Sequence, residues 1–154
     1  MKKLAYLIIL LLFVPTIVFA SSFDITADKV ILYNLNDDTI LYEQNSNEQT
    51  NIASLTKIMT ALVAIENIDD YDEYVTITAK DFEGTNGYSK AGFSIGDQVT
   101  YRDLLYGILL PSGADAVNAI VNNTLGYDAF IDAMNNKAQE IGLENTSFSN
   151  PVGK

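Results

Sequence analysis

Neither cysteine nor histidine occurs anywhere in the 154 residues. The first absence excludes disulfides and thiolate metal sites. The second removes the imidazole that many hydrolases use as a base, together with the commonest zinc ligand. Any hydrolytic chemistry must come from hydroxyl, carboxylate or amine groups. Positive charge is scarce as well. Residues 21–154 carry all 20 acidic residues and only seven of the nine basic ones, a net charge of −13. A surface of that sign repels phosphate backbones, which argues against nucleic acid as a partner. Linkers rich in proline, glycine or serine are missing, and so are internal repeats, so residues 21–154 read as one small domain.

What is present begins with an export signal. Lys2 and Lys3 precede an almost unbroken apolar run that Pro15 interrupts, and Val18-Phe19-Ala20 supplies small or tolerated residues ahead of Ser21. Residues 1–20 therefore read as a secretory signal peptide, cut after Ala20. The competing reading is an uncleaved anchor. As helix, residues 4–20 would reach only about 25 Å, and a membrane span takes about 20 residues. Either way the remainder is placed outside the cytoplasm.

Residues 30–35 and 39–43 are rich in β-branched and aromatic side chains, and Asn36-Asp37-Asp38 between them is turn chemistry, so they predict a hairpin. Asn51 is a plausible helix-capping position. Residues 54–65 predict a helix apolar nearly all round, with Leu55, Ile58, Met59 and Leu62 as its stripe and Ala61 and Ala64 on a closely approached side. Residues 74–78 read as a short strand, and Gly84, Gly87, Gly92 and Gly96 punctuate a loop. Thr100 and Asp103 form a capping-box pattern for a helix that Pro111 should end. Further helices are expected over about 114–123 and 127–141, the latter turning Ala129, Phe130, Ala133, Met134 and Ala138 inward and stopping at Gly142. Residues 143–154 read as turns. The fold class is α+β.

Ser54 and Lys57 are the residues that point to chemistry. Three positions apart, they share a helix face, and the first turn favours developing negative charge near Ser54. Lys57 is the only charged residue between Asn51 and Ile65. Burial would favour its neutral form, and a neutral amine can deprotonate a serine. The alternatives are ordinary: Ser54 as a helix cap, Lys57 as a chain that snorkels to water. Pro111-Ser112-Gly113 likewise makes a good corner between helices.

The run at residues 51–62, Asn-Ile-Ala-Ser-Leu-Thr-Lys-Ile-Met-Thr-Ala-Leu, resembles the active-site helix of the serine D-Ala-D-Ala carboxypeptidases, the low-molecular-mass penicillin-binding proteins. The hairpin at 29–43 is similar to the strands that precede that helix. Residues 96–107 and 110–116 resemble the segment before the family's second motif and that motif itself. Residues 147–153 resemble a loop that follows, so the likeness spans essentially all of 21–154 in the family's order. It implies the β-lactamase/DD-peptidase-like fold, in which 21–154 would be the N-terminal part of a catalytic domain. It implies Ser54 as nucleophile, Lys57 as base and Ser112 as proton relay, acting on peptidoglycan stem peptides, with β-lactams as covalent inhibitors and no cofactor.

Two departures stand out. Ala114 occupies the place of the second motif's usual asparagine, and neither Asp115 nor Asn118 inherits that role by position. The third motif, Lys-Thr/Ser-Gly, does not occur in the chain, and Lys154 cannot supply it. The expectation is a truncated product, weakly active or inactive alone, whose peripheral membrane association would need a segment beyond Lys154. A non-catalytic wall-binding module and a β-lactamase-like hydrolase remain as rivals.

Overall fold

The structure, a computed structural model, describes residues 25–153. The signal segment expected at 1–20 lies outside them, as does Lys154. Among the described residues, no helix is long and apolar enough to cross a membrane. The chain divides into two compact units, the first ending at Glu48 and the second beginning at Gln49.

The first unit is the expected hairpin. Strand β1 (Val30–Asn34) pairs antiparallel with β2 (Thr39–Gln44), with a bulge between Leu32 and Tyr33. Its turn is built from side chains. Asn34 Oδ1 accepts the Asn36 N–H at 3.0 Å, and Asp37 Oδ1 accepts the Thr39 hydroxyl at 2.7 Å. Asp38 takes φ +55°, which a short polar residue tolerates. Apolar side chains are exposed on both faces, Ile31 and Leu32 among them.

In the second unit, helix α1 (Thr56–Glu66) touches α2 (Tyr101–Leu109), α3 (Ala114–Asn123) and α4 (Tyr127–Glu140). Val63, Leu104, Ile108, Val117, Ile120, Phe130 and Met134 fill the space between them. Fully burying a side chain of this size contributes about 1.5–3 kcal/mol. A small antiparallel sheet of β3 (Tyr74–Thr76) and β4 (Gln98–Thr100) closes one side, with Val75 opposite Val99 and both buried. Strand β4 was not expected from the sequence; three residues are too few to show alternation.

The helix ends follow local chemistry. The Thr100 side chain accepts the Asp103 N–H at 3.1 Å, and Asp103 Oδ2 accepts the Thr100 N–H at 2.9 Å, completing the box that starts α2. Thr100→Ala is expected to cost about 1 kcal/mol, read as a lower urea midpoint. Helix α4 stops at Gly142, whose φ is +81°. The Gly142 N–H reaches the Gln139 carbonyl and the Leu143 N–H reaches that of Ala138, a Schellman closure.

Some expectations fail on α1 and α4. The helix expected at 54–65 opens instead as a 3₁₀ turn, Ala53–Leu55, and becomes α-helical at Thr56. Asn51 caps nothing: Ile52 precedes the turn, and no side chain caps it. Of the expected stripe only Met59 is fully buried, while Leu55 and Ile58 are each 62 % exposed. The buried residues of α1 are Thr56, Lys57, Met59, Thr60, Ala61, Val63 and Ala64, the polar ones among them because a turn of backbone with carbonyls to satisfy packs on Lys57 and Thr60. On α4, Ala129 is exposed, whereas Phe130, Met134 and Ala138 are buried as expected.

Candidate active site

Ser54 lies in the 3₁₀ turn and is exposed; Lys57 is the second residue of α1 and is 3 % exposed. The two remain in reach, with Lys57 Nζ 3.3 Å from Ser54 Oγ. The amine also donates to the Val152 carbonyl at 2.8 Å. That carbonyl can only accept, so it must take one of the lysine N–H bonds. A neutral amine held this way keeps its lone pair for the Ser54 hydroxyl proton. Burial lowers the pKa of Lys57 from its ordinary value, since the charged form loses water there.

The Val152 carbonyl belongs to a strap, residues 147–153, anchored at several points. Thr60 Oγ1 donates to the Pro151 carbonyl at 2.6 Å. Asn150 Oδ1 accepts the N–H groups of Val152 at 3.1 Å and Gly153 at 2.8 Å. Asn135 on α4 grips the Phe148 backbone from both sides, donating at 2.9 Å and accepting at 2.8 Å. Gly153, at φ +81°, presses on Ala53, where a Cβ would overlap the Ala53 carbonyl. Ala53 itself takes φ +46°. A non-glycine residue in that region is held against its preference, which surrounding contacts must enforce.

Ser112 stands at the corner between α2 and α3 with φ +60°. It is both the corner residue and a wall of the site, because Ser54, Lys57 and Ser112 line one cleft of about 360 Å³ with Ile58, Ile108 and Leu109. Ala114 is 1 % exposed. Asn118, one turn further on, donates to the carbonyls of Asp81 at 3.1 Å and Glu83 at 2.9 Å and is committed there. Among the described residues, no cluster of carboxylates could hold a metal ion.

The sequence model of the family described as D-alanyl-D-alanine carboxypeptidase, peptidase S11, matches residues 16–154. The chain belongs to this family. Among its S11 relatives, DacF of Bacillus subtilis, a D-alanyl-D-alanine carboxypeptidase, is 35 % identical over 130 residues, covering 82 % of this chain and 33 % of the relative. A D-alanyl-D-alanine carboxypeptidase of a Streptomyces species is 37 % identical over 125 residues, covering 75 % of this chain and 43 % of the relative. A point mutant of the Streptomyces DD-transpeptidase superposes with a TM-score of 0.79 at 34 % identity, over 86 % of this chain and 55 % of that one. Penicillin binding protein 5 of Haemophilus influenzae gives 0.76 at 29 % identity, over 88 % and 41 %. The chain thus spans about a third to two fifths of the curated S11 relatives' length.

Sequence reasoning singled out Ser54, Lys57 and Ser112 as candidates, and the fold brings them to one cleft. It missed Thr60, Asn135 and the carbonyls of Pro151 and Val152. Backbone carbonyls carry no sequence signal. Thr60 and Asn135 read as ordinary helix residues until the strap is seen on them.

Proposed function

We propose that this S11 chain is part of a serine D-Ala-D-Ala carboxypeptidase, with Ser54 as nucleophile, Lys57 as general base and Ser112 as relay. The observation that carries the reading is the buried Lys57 amine, held by the Val152 carbonyl and 3.3 Å from Ser54 Oγ. Apo hydrogen bonds of catalytic pairs are often this long and tighten on substrate binding. Lys57 takes the proton from Ser54 as Oγ attacks the carbonyl carbon of the penultimate D-alanine. The tetrahedral intermediate collapses, the C–N bond breaks, and Ser112 passes the proton from Lys57 to the leaving amine, freeing D-alanine. Water then attacks the ester with Lys57 again as base, and the stem peptide departs one residue shorter.

The substrate class is the peptidoglycan stem peptide, and β-lactams would acylate the same oxygen. Residues 21–154 belong to one catalytic domain that acts outside the cytoplasm after export by residues 1–20. Asparagine is replaced by Ala114, and the chain contains no Lys-Thr/Ser-Gly motif to bind a terminal carboxylate.

Ala114 favours a second reading, a wall-binding module without chemistry. Incubation of the chain with penicillin, followed by peptide mapping, separates the readings. A penicilloyl adduct on Ser54 is expected. An adduct elsewhere, or none after prolonged incubation, refutes the proposal, and rapid turnover of nitrocefin would favour a β-lactamase instead.

A further inference from the structure

Asp115, the second residue of α3, is 1 % exposed. One carboxylate oxygen accepts the Ala91 N–H at 2.7 Å, while the other has no hydrogen-bond partner among the described residues. A buried carboxylate left half-satisfied is costly, and the helix N-terminus offsets only part of that cost. Something else must account for its presence. The Ala91 segment lies against the corner that presents Ser112. The Ala114 N–H donates to the Ser89 carbonyl at 2.9 Å, and the Gly113 N–H to the Gly107 carbonyl at 2.9 Å. There is no slack in this packing. A Cβ on Gly113 would lie 2.7 Å from Ala91 N and 2.8 Å from Asp115 Oδ1, and one on Gly107 would lie 3.0 Å from both Ala91 Cβ and Ala116 Cβ. Ser112, at φ +60°, is the strained residue at the apex of this strapped corner.

We propose that Asp115 is a positioning residue for Ser112: by gripping the Ala91 N–H, it clamps residues 89–91 across the α2–α3 corner and fixes where the Ser112 hydroxyl stands. The proposal rests on the reading of Ser54, Lys57 and Ser112 given above. It explains why a carboxylate is buried here at the position after Ala114.

The test follows penicillin acylation of the full chain in Asp115→Ala, Asp115→Asn and Gly113→Ala. Asp115→Ala should slow the limiting acylation rate about 10- to 100-fold. The final labelled fraction and the half-saturating penicillin concentration should stay within about twofold. Asp115→Asn, whose amide oxygen can still accept from Ala91, should stay within about threefold of wild type. Gly113→Ala, whose methyl intrudes on the same bond, should resemble Asp115→Ala. A merely structural role would lower the final labelled fraction and leave the rate of the folded molecules unchanged, which would overturn the proposal. Equal losses in the Ala and Asn variants would overturn it too. If wild type never labels, the reading of Ser54 has failed. Amide exchange at Ala91 then still decides the clamp, which is refuted if Asp115→Ala leaves that amide fully protected.

Discussion

Ser54→Ala is expected to abolish labelling by fluorescent penicillin, and Lys57→Met to slow it by about 10²–10⁴. The first removes the only atom that can carry the acyl group in this reading. The second removes the base, and no imidazole exists in the chain to replace it. Methionine fills the same buried channel without an amine to desolvate, which offsets the cost of leaving the Val152 carbonyl without its donor, so the variant should still fold at neutral pH. That separates lost chemistry from lost structure. The pH dependence gives a further check. The base must be neutral, so acylation of wild type should rise as pH passes upward through the lowered pKa of Lys57. Stability follows the same group. Between the lowered folded value and the unfolded value near 10.5, the unfolded chain holds the extra proton, so folding gains stability as pH rises through that window. Below it, lysine is protonated in both states and the burial penalty is complete. Lys57→Met should lose that part of the pH dependence. An unchanged stability-versus-pH curve in the variant would show the amine to be solvated, and the mechanism would fall with it.

Gly153→Ala should produce the second-largest loss, far from any reacting atom in sequence. The new Cβ would overlap the Ala53 carbonyl, and φ +81° disfavours any side chain there. The strap must lift, and the Val152 carbonyl lifts with it. Lys57 then loses its fixed acceptor and gains water. Acylation at pH 7 should fall about 10²-fold, and the rising limb of its pH profile should move to higher pH. Stability should drop by roughly 1–3 kcal/mol, the usual cost of overpacking. The displaced pH profile is the informative part, because a loss confined to stability would leave it in place.

Elements whose cause is local were legible in the sequence. The hairpin turn is written in Asn36-Asp37-Asp38, the start of α2 in Thr100 and Asp103, and the stop of α4 in Gly142. Helix α3 begins at Ala114 and ends at Asn123 as expected. The errors fall where a distant segment overrides a local pattern. Apolar periodicity aims Leu55 and Ile58 inward, but the strap at 147–153 buries Thr56, Lys57 and Thr60 instead. Hydrogen bonds from Lys57 and Thr60 to carbonyls about ninety positions away bury polar side chains alongside the apolar ones. A hydrophobicity pattern cannot register that exchange.

The candidate site divides along the same line. Ser54 and Lys57 are three positions apart, in a 3₁₀ turn and the helix that continues it, so their spacing alone makes an encounter between hydroxyl and amine possible. Absence of histidine makes that encounter the natural place to look for a base. Whether the amine is buried, and which carbonyl holds it, depends on the fold, because desolvation is a property of the surroundings and not of the residue. The same holds for Ser112, a corner serine in the sequence and a wall of the cleft only once α2 and α3 have packed. The chain's own order thus determined which groups could react and, where local capping chemistry decides, where a helix begins or ends, as at Thr100 and Gly142. Tertiary structure alone decided which of them lose water and which meet, since both require segments remote in sequence to close on one another.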